Sequence, residues 1–264
     1  AVDTFIKLYS WTVSRRHLFE QGDGVSLPEV NRDLIYSILD RAKANNGIVS
    51  ERDTKIILEQ YGIPTTMPKL ARSADDAQWF ANEMEYPVVL KVESKDIIHK
   101  TDAGVVALNI RNNEELQQTY HELLKRAKKY KHDAEIEGVV VQKMVDDGHE
   151  LLLGSKSDSL FGGVVVFGAG GTSVEILKDT SIGFPVLSRV DARDLINQTN
   201  VSLRLEKGFR NLPSVNIGLI EDVIMKFSQL LVDFPEIKEI DINPLRATDK
   251  TVIALDGRMV VKND

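Results

Sequence analysis

Lys91 sits inside "YPVVLKV", an apolar run that reads as a buried strand. A lysine there must snorkel out along its stem or meet an anion. Strand alternation puts it on one face with Val89. It is either an exposed residue of a half-buried strand or a point charge held over a phosphate. Downstream, His99, Lys100, Thr101 and Asp102 form a polar string ahead of Gly104. Polar strings after strands are commonly loops without chemical duty. Yet a loop histidine can take a phosphoryl group on nitrogen. Lys100 would screen the added charge, and Asp102 would fix the imidazole tautomer. Gly104 would give the loop freedom to move.

The stretch "FGAGGTSVEILKD" puts Gly168, Gly170 and Gly171 in one turn. Successive backbone N–H groups in such a turn can form an anion nest, and a following helix start adds its dipole. Tight turns explain most glycine clusters equally well. Glu175 and Asp179 are four residues apart, on one face of any helix, placed to hold a metal or merely to be solvated. Near the C-terminal end, "DINPL" and "IALDG" each close a strand-like run. If the two runs pair as a hairpin, Asn243 and Asp256 turn oxygen atoms to one side. Magnesium takes oxygen ligands, few of them from protein. An asparagine before proline and an Asp-Gly turn also occur without any metal. Jointly, a lysine, a glycine turn and a hard-oxygen pair are the parts needed to hold a nucleoside triphosphate and its metal.

The elements that must position these residues alternate along the chain. "RDLIYSILDRAKAN" reads as a helix. Ser50 with Asp53, and Ser73 with Asp76, resemble capping boxes opening "TKIILEQY" and "AQWFANEMEY". "NNEELQQTYHELLKRAKKY" carries acids first and bases last, as the helix dipole prefers, and "LIEDVIMKFSQLLVDF" is a long amphipathic helix. Strand runs are "PVVLKV", "GVVALNI", "GVVVQKM", "ELLLG", "GVVVFG", "IKEIDINPL" and "TVIALDG". The alternation argues for α/β (α+β) layers rather than a bundle or sandwich. A subdomain seam is expected near residues 132–138, at "KHDAEIEG".

Composition excludes several classes. The 264 residues are 42% apolar and 28% charged, ordinary for a globular chain of one or two domains. A net charge of −7 argues against a nucleic-acid partner, which needs a basic face. No cysteine is present, so disulfides, thiolate catalysis and sulfur-ligated zinc are excluded. That fits a cytoplasmic setting. No apolar run is long enough to predict a membrane span. The opening "AVDTFIKLYSW" has neither an initiator methionine nor the features of a signal peptide, and a piece of a longer chain is expected.

Together, "YPVVLKVESKDIIHKTDAG", "GVVVQKMV", "ELLLGSKSDSLFGGVVVFGAGGTSVEILKD" and "FPEIKEIDINPL" resemble the ATP-grasp region of ADP-forming acyl-CoA synthetases, in the succinyl-CoA synthetase superfamily. The resemblance implies an ATP-grasp fold over 47–264, two subdomains (about 47–135 and 136–264) clamping a nucleotide. Residues 1–46 would be a linker from a preceding CoA-ligase part. It implies ATP/ADP and Mg2+ as cofactors. It implies a relay in which ATP phosphorylates histidine and phosphate then passes to an acyl group. The principal phosphohistidine belongs to the CoA-ligase (alpha-type) part, acting in cis or in trans within an oligomeric assembly. Acyl-CoA would be met through that partner. By residue, Lys91 matches the phosphate lysine and His99 a second, mobile phosphate carrier. Gln142, Lys143, Met144 and Val145 match the adenine hinge, and Glu150 an acid beside the nucleotide. Asn243 and Asp256, with Asp241 close by, match the magnesium ligands. The glycine turn at 168–171, with Glu175, would face the docked phosphohistidine. One departure is Val105, where relatives carry a second glycine. The region from Asp179 to Pro213 also resembles chains fused to a GNAT acetyltransferase, so a nucleotide- or acyl-CoA-sensing module without turnover is the alternative. An α/β module without any ligand is a third.

Overall fold

The computed structural model describes residues 26–97, 100, 103–158, 162–171 and 179–262. His99, Asp102 and Glu175 lie outside them. In chain order the elements are α1 (Arg32–Lys43), β1 (Ile48–Val49), α2 (Glu51–Gln60), β2 (Lys69–Ala71), α3 (Ala74–Met84), β3 (Val88–Glu93), β4 (Val106–Ile110), α4 (Asn113–Tyr130) and β5 (Gly138–Lys143). Then follow β6 (His149–Asp158), β7 (Gly162–Ala169), β8 (Thr180–Gly183), α5 (Arg189–Asn197), α6 (Val201–Lys207), α7 (Ile217–Asp233), β9 (Ile237–Ala247), β10 (Val252–Ala254) and β11 (Arg258–Val261).

The described residues form two compact units, one within 66–146 and one within 26–65 and 147–262. The expected seam at 132–138 is corrected accordingly. β5 follows that stretch directly and is an inner strand of the smaller unit's sheet, so no boundary can fall there. The expected lead-in is shortened as well. Ile35, Ile38, Leu39 and Ala42 on one stripe of α1 are buried in the larger unit's core, and β1 pairs with β11. Residues from Arg32 onward therefore belong to the folded body.

The smaller unit is a four-stranded antiparallel sheet, ordered β2-β5-β3-β4. Val88, Leu90 and Val92 of β3 and Val139 and Val141 of β5 point to one face and are fully buried with residues of α3 and α4. Ala77 and Ala81 keep α3 smooth on its packed side. Both helices start at side-chain caps: Ser73 with Asp76 makes a complete capping box, and Asn112 accepts the Glu115 N–H. Alternation leaves Val89, Lys91 and Glu93 on the other face of β3, as expected for Lys91.

The larger unit has a seven-stranded sheet, ordered β1-β11-β9-β6-β7-β8, with β10 also on β9. Its core holds Leu151, Leu153, Val165, Phe167, Ile240 and Ile242 against α7. Ser50 accepts the Asp53 N–H at the start of α2, while Ser188 with Asp191 closes a full box on α5. No helix of the described residues is long and apolar enough to cross a membrane.

Candidate functional site

In the larger unit the candidate site is built where β9 meets the two strands that run back along it. β10 pairs with β9 to put Ala254 opposite Leu245, and β11 pairs to put Arg258 opposite Asp241. Both ladders share one register, which sets Asp256 opposite Asn243 across the interruption between them. The interruption has a chemical cause: Pro244 has no N–H to give the ladder. Its carbonyl still accepts the Leu255 N–H at 3.1 Å. The hairpin expected for Asn243 and Asp256 is thus present, and Asp241 lies one pleat further along the same face.

Burial pushes the Asp241 carboxyl above its ordinary pKa, with the neighbouring carboxylates of Glu239 and Asp256 adding to it and Arg258 working against it. Like charges gathered on a half-buried surface call for a cation. Asn243 and Asp256 supply hard oxygen atoms, the donor type magnesium takes, usually with one or two carboxylates and the rest from water and phosphate. Among the described residues no group of three or more His, Cys, Asp or Glu side chains forms a metal cage. A magnesium ion shared with phosphate fits these residues; zinc or calcium caging does not.

The raised value has a testable consequence. A carboxyl with a raised folded-state pKa favours folding below its unfolded value, about 3.9, and that contribution is lost as pH rises through the folded value. Asp241→Asn is therefore expected to raise the denaturation midpoint of the chelator-treated chain at pH 7, with the gain closing towards pH 4. Urea titrations at the two pH values check this; an equal gain at both would contradict it.

The glycine turn ends β7 and crosses close to the start of β6. A Cβ at Gly170 would meet Leu151 backbone at 2.4 Å, and one at Gly168 the Asp179 carbonyl at 2.2 Å. Gly171 has φ +72°, which favours glycine. Among the described residues of this turn, Ala169 to Gly171 do not form the expected anion nest. The N–H groups of Ala169, Gly170 and Gly171 go to the Asp179 carbonyl, the Glu150 carbonyl and Asn243 Oδ1, at 3.1, 2.8 and 3.1 Å. The turn instead buttresses Asn243, whose Oδ1 keeps a second lone pair. Asp179 is not merely solvated: its carboxylate accepts the N–H groups of Asn200 and Val201 at the start of α6. Glu150 is paired with Arg246 at 2.6 Å, directly across from it on β9.

In the smaller unit, Lys91 stands opposite Val140 on β5 and Val106 on β4, half-buried. Gln142 lies on the same face and donates to Thr66 Oγ1. Lys143 donates to the Glu85 carbonyl at 2.7 Å, and the Met144 N–H goes to the Pro87 carbonyl. β5 ends at Lys143, so Val145 lies beyond the ladder. Lys100 departs from expectation: its ammonium is held by Glu93 at 2.5 Å rather than left to screen a phosphate. Gly104 has φ +64°, and Val105 is fully buried with its N–H on the Lys100 carbonyl, so the loop's downstream end is anchored.

Sequence reasoning missed Glu93 and Arg246. Each acts through a partner fixed by pairing register or helix packing. One sequence shows the charges but not which strand lies opposite.

A family model described as an ATP-grasp domain matches residues 40–261. The chain is 41% identical over 224 residues to the beta subunit of ADP-forming acetate–CoA ligase I of Pyrococcus furiosus, covering 85% of this chain and 96% of that subunit. It is 37% identical over 232 residues to ADP-forming acetate–CoA ligase I of Archaeoglobus fulgidus, covering 88% of this chain but only 34% of that longer one. Its fold matches the dinucleotide-forming acetyl-coenzyme A synthetase 1 of Ca. Korarchaeum cryptofilum, solved with coenzyme A and Ca-AMPCP. The TM-score is 0.80, with 36% identity over 86% of this chain and 99% of that one. The same synthetase has been solved with Mg-AMPPCP and its phosphohistidine segment pointing towards the nucleotide binding site. This chain belongs to the ATP-grasp family, with the beta subunits of ADP-forming acetate–CoA ligases as its relatives.

Proposed function

We propose that this chain is the Mg-ATP-binding part of an ADP-forming acyl-CoA synthetase, exchanging phosphate between ATP and a histidine relay. The observation that carries the reading is the shared register that sets Asp256 opposite Asn243, beside the raised Asp241. These residues would hold magnesium, which draws charge from the phosphates when bound. Lys91 would meet the phosphate oxygens as a point charge. The segment Gln142–Val145 would meet adenine, with Val145 offering backbone groups beyond the ladder. In the transfer, the bond from the terminal phosphorus to the bridging oxygen breaks, a phosphorus–nitrogen bond forms on imidazole, and ADP leaves. The imidazole that first accepts would be that of His99, which would carry the phosphate on to the principal histidine of a CoA-ligase part, in cis or in trans. The presence of Lys91, Asn243 and Asp256 together favours turnover over a purely sensing role. Use of ATP and CoA supports a cytoplasmic setting.

Lys91→Ala tests the assignment on the smaller unit. Loss of one charge-assisted contact is expected to weaken ATP binding by about 1–3 kcal/mol. Calorimetry with ATP and magnesium measures it, and unchanged affinity would remove Lys91 from the site.

A further inference from the structure

Lys55 is completely buried, on the side of α2 that faces the C-terminal strands. Its ammonium donates to Glu51 Oε1 at 2.7 Å and to the Leu255 carbonyl at 2.8 Å. An ammonium taken out of water is costly unless its charge and its donors are met. A helix needing only to pack would use leucine or methionine at this position. What Lys55 adds is a charged donor to the Leu255 peptide group.

That peptide group leads into Asp256. Leu255 occupies the interruption between β10 and β11, where the ladder cannot fix the backbone because Pro244 lacks a donor. Its N–H is held by the Pro244 carbonyl, one residue past Asn243. Its C=O, in the same peptide plane as the Asp256 nitrogen, is held by Lys55. On the far side, a Cβ on Gly257 would come within 3.1 Å of Thr54 Cγ2, so α2 packs against both flanks of Asp256. The Asp256 carboxylate accepts the Gly257 N–H at 2.8 Å, which ties its rotamer to the same turn.

We propose that Lys55 is a positioning residue for the magnesium end of the site, fixing the Leu255–Asp256 peptide so that Asp256 stays opposite Asn243. The proposal rests on the reading of those two residues as magnesium ligands. Lys55 would act through the Leu255 carbonyl, which it holds at 2.8 Å. It replaces the one ladder hydrogen bond to the Leu255 carbonyl that Pro244 cannot give, and it does so from the helix beneath rather than from a neighbouring strand.

Lys55→Met keeps the straight apolar stem and removes the ammonium. Binding of a non-hydrolysable ATP analogue to the 264-residue chain is measured across a magnesium titration. The half-saturating magnesium concentration is expected to rise about tenfold, the scale for losing a group that orients a ligand. Affinity for the analogue without magnesium stays unchanged. Amide exchange at Leu255 quickens, while exchange in β5 does not. A purely structural role would move the melting transition and leave the magnesium requirement alone; that result overturns the proposal. Should Lys55→Met fail to unfold cooperatively, Glu51→Gln leaves the lysine in place and removes its carboxylate from a partly exposed position. A shift of about threefold in the same direction is then expected, the scale of one lost hydrogen bond while the Lys55–Leu255 contact remains. No shift there overturns the proposal too. The double variant Asn243→Ala, Asp256→Ala serves as reference. If it also leaves the magnesium requirement unchanged, the metal assignment itself has failed. If it abolishes the requirement while the Lys55 and Glu51 variants do nothing, only the positioning role has failed.

Discussion

Replacing Asn243 and Asp256 together by alanine is expected to abolish the magnesium dependence of nucleotide binding. Hard-oxygen ligands dominate magnesium sites, and a site using few protein ligands has no reserve. Loss of groups that merely orient a ligand costs 10–100-fold in metal affinity, so loss of the ligands themselves should exceed roughly a hundredfold. A calorimetric titration of ATP with and without magnesium reads this directly: the two curves, separate in the parent chain, should coincide in the variant. Asn243 has a second duty, because its Oδ1 accepts the Gly171 N–H and so holds the glycine turn. Asn243→Asp keeps an acceptor for Gly171 and an oxygen for the metal, and is expected to retain magnesium dependence. Alanine alone should lose both. Persistence of a normal magnesium requirement in the double alanine variant would take both residues out of the ligand set.

Much of the geometry of this candidate site is legible in the sequence because the signals are local. The alternation that put Lys91 on the outer face of β3 needs only its four immediate neighbours. The placement of Asn243 opposite Asp256 needs only two short strands joined by a tight turn. The Ser73–Asp76 box was readable because both partners lie within one helical turn. What failed was non-local. The glycine turn reads as an anion nest, but the N–H groups of Ala169, Gly170 and Gly171 go to Asp179, Glu150 and Asn243, brought alongside by the pairing of β7 with β8 and of β6 with β7 and β9. Lys100 was read as a screen for phosphate, but Glu93 lies within its reach because β3 leads into the same loop. α1 reads as part of a linker because its apolar stripe shows no partner in the sequence around it; it packs against β1 close by and against β11 at the far end of the chain. The boundary at Thr66 follows from the same effect. The larger unit is assembled from both ends of the sequence, which composition along a single chain does not reveal.

The isolated chain is expected to form no acyl-CoA from ATP, an acid and CoA, and to gain that activity when a CoA-ligase part is supplied. A phosphoryl relay needs donor and acceptor in line and close at each transfer, with charge neutralised as it moves. This chain offers candidate groups for the first transfer: Lys91, the Asn243–Asp256 pair and Asp241. The acyl and CoA steps need a phosphohistidine and a thiol-ester site, which the resemblance assigns to the other part of the longer relatives. His99 is the proposed link. With γ-labelled ATP and a CoA-ligase part whose own histidine is replaced, acid-labile, base-stable label should appear on the peptide containing His99. In the mixture with an intact CoA-ligase part, His99→Ala should lower acyl-CoA formation by on the order of a hundredfold or more, the scale for removing a group that takes part in the transfer itself. Stability should be untouched, because the residues that anchor the loop's downstream end, Val105 and the Lys100–Glu93 pair, are left in place. Acyl-CoA made by the isolated chain would mean that the whole reaction runs without a partner. Full turnover with His99→Ala would reduce His99 to a bystander, with phosphate passing directly from ATP to the partner's histidine.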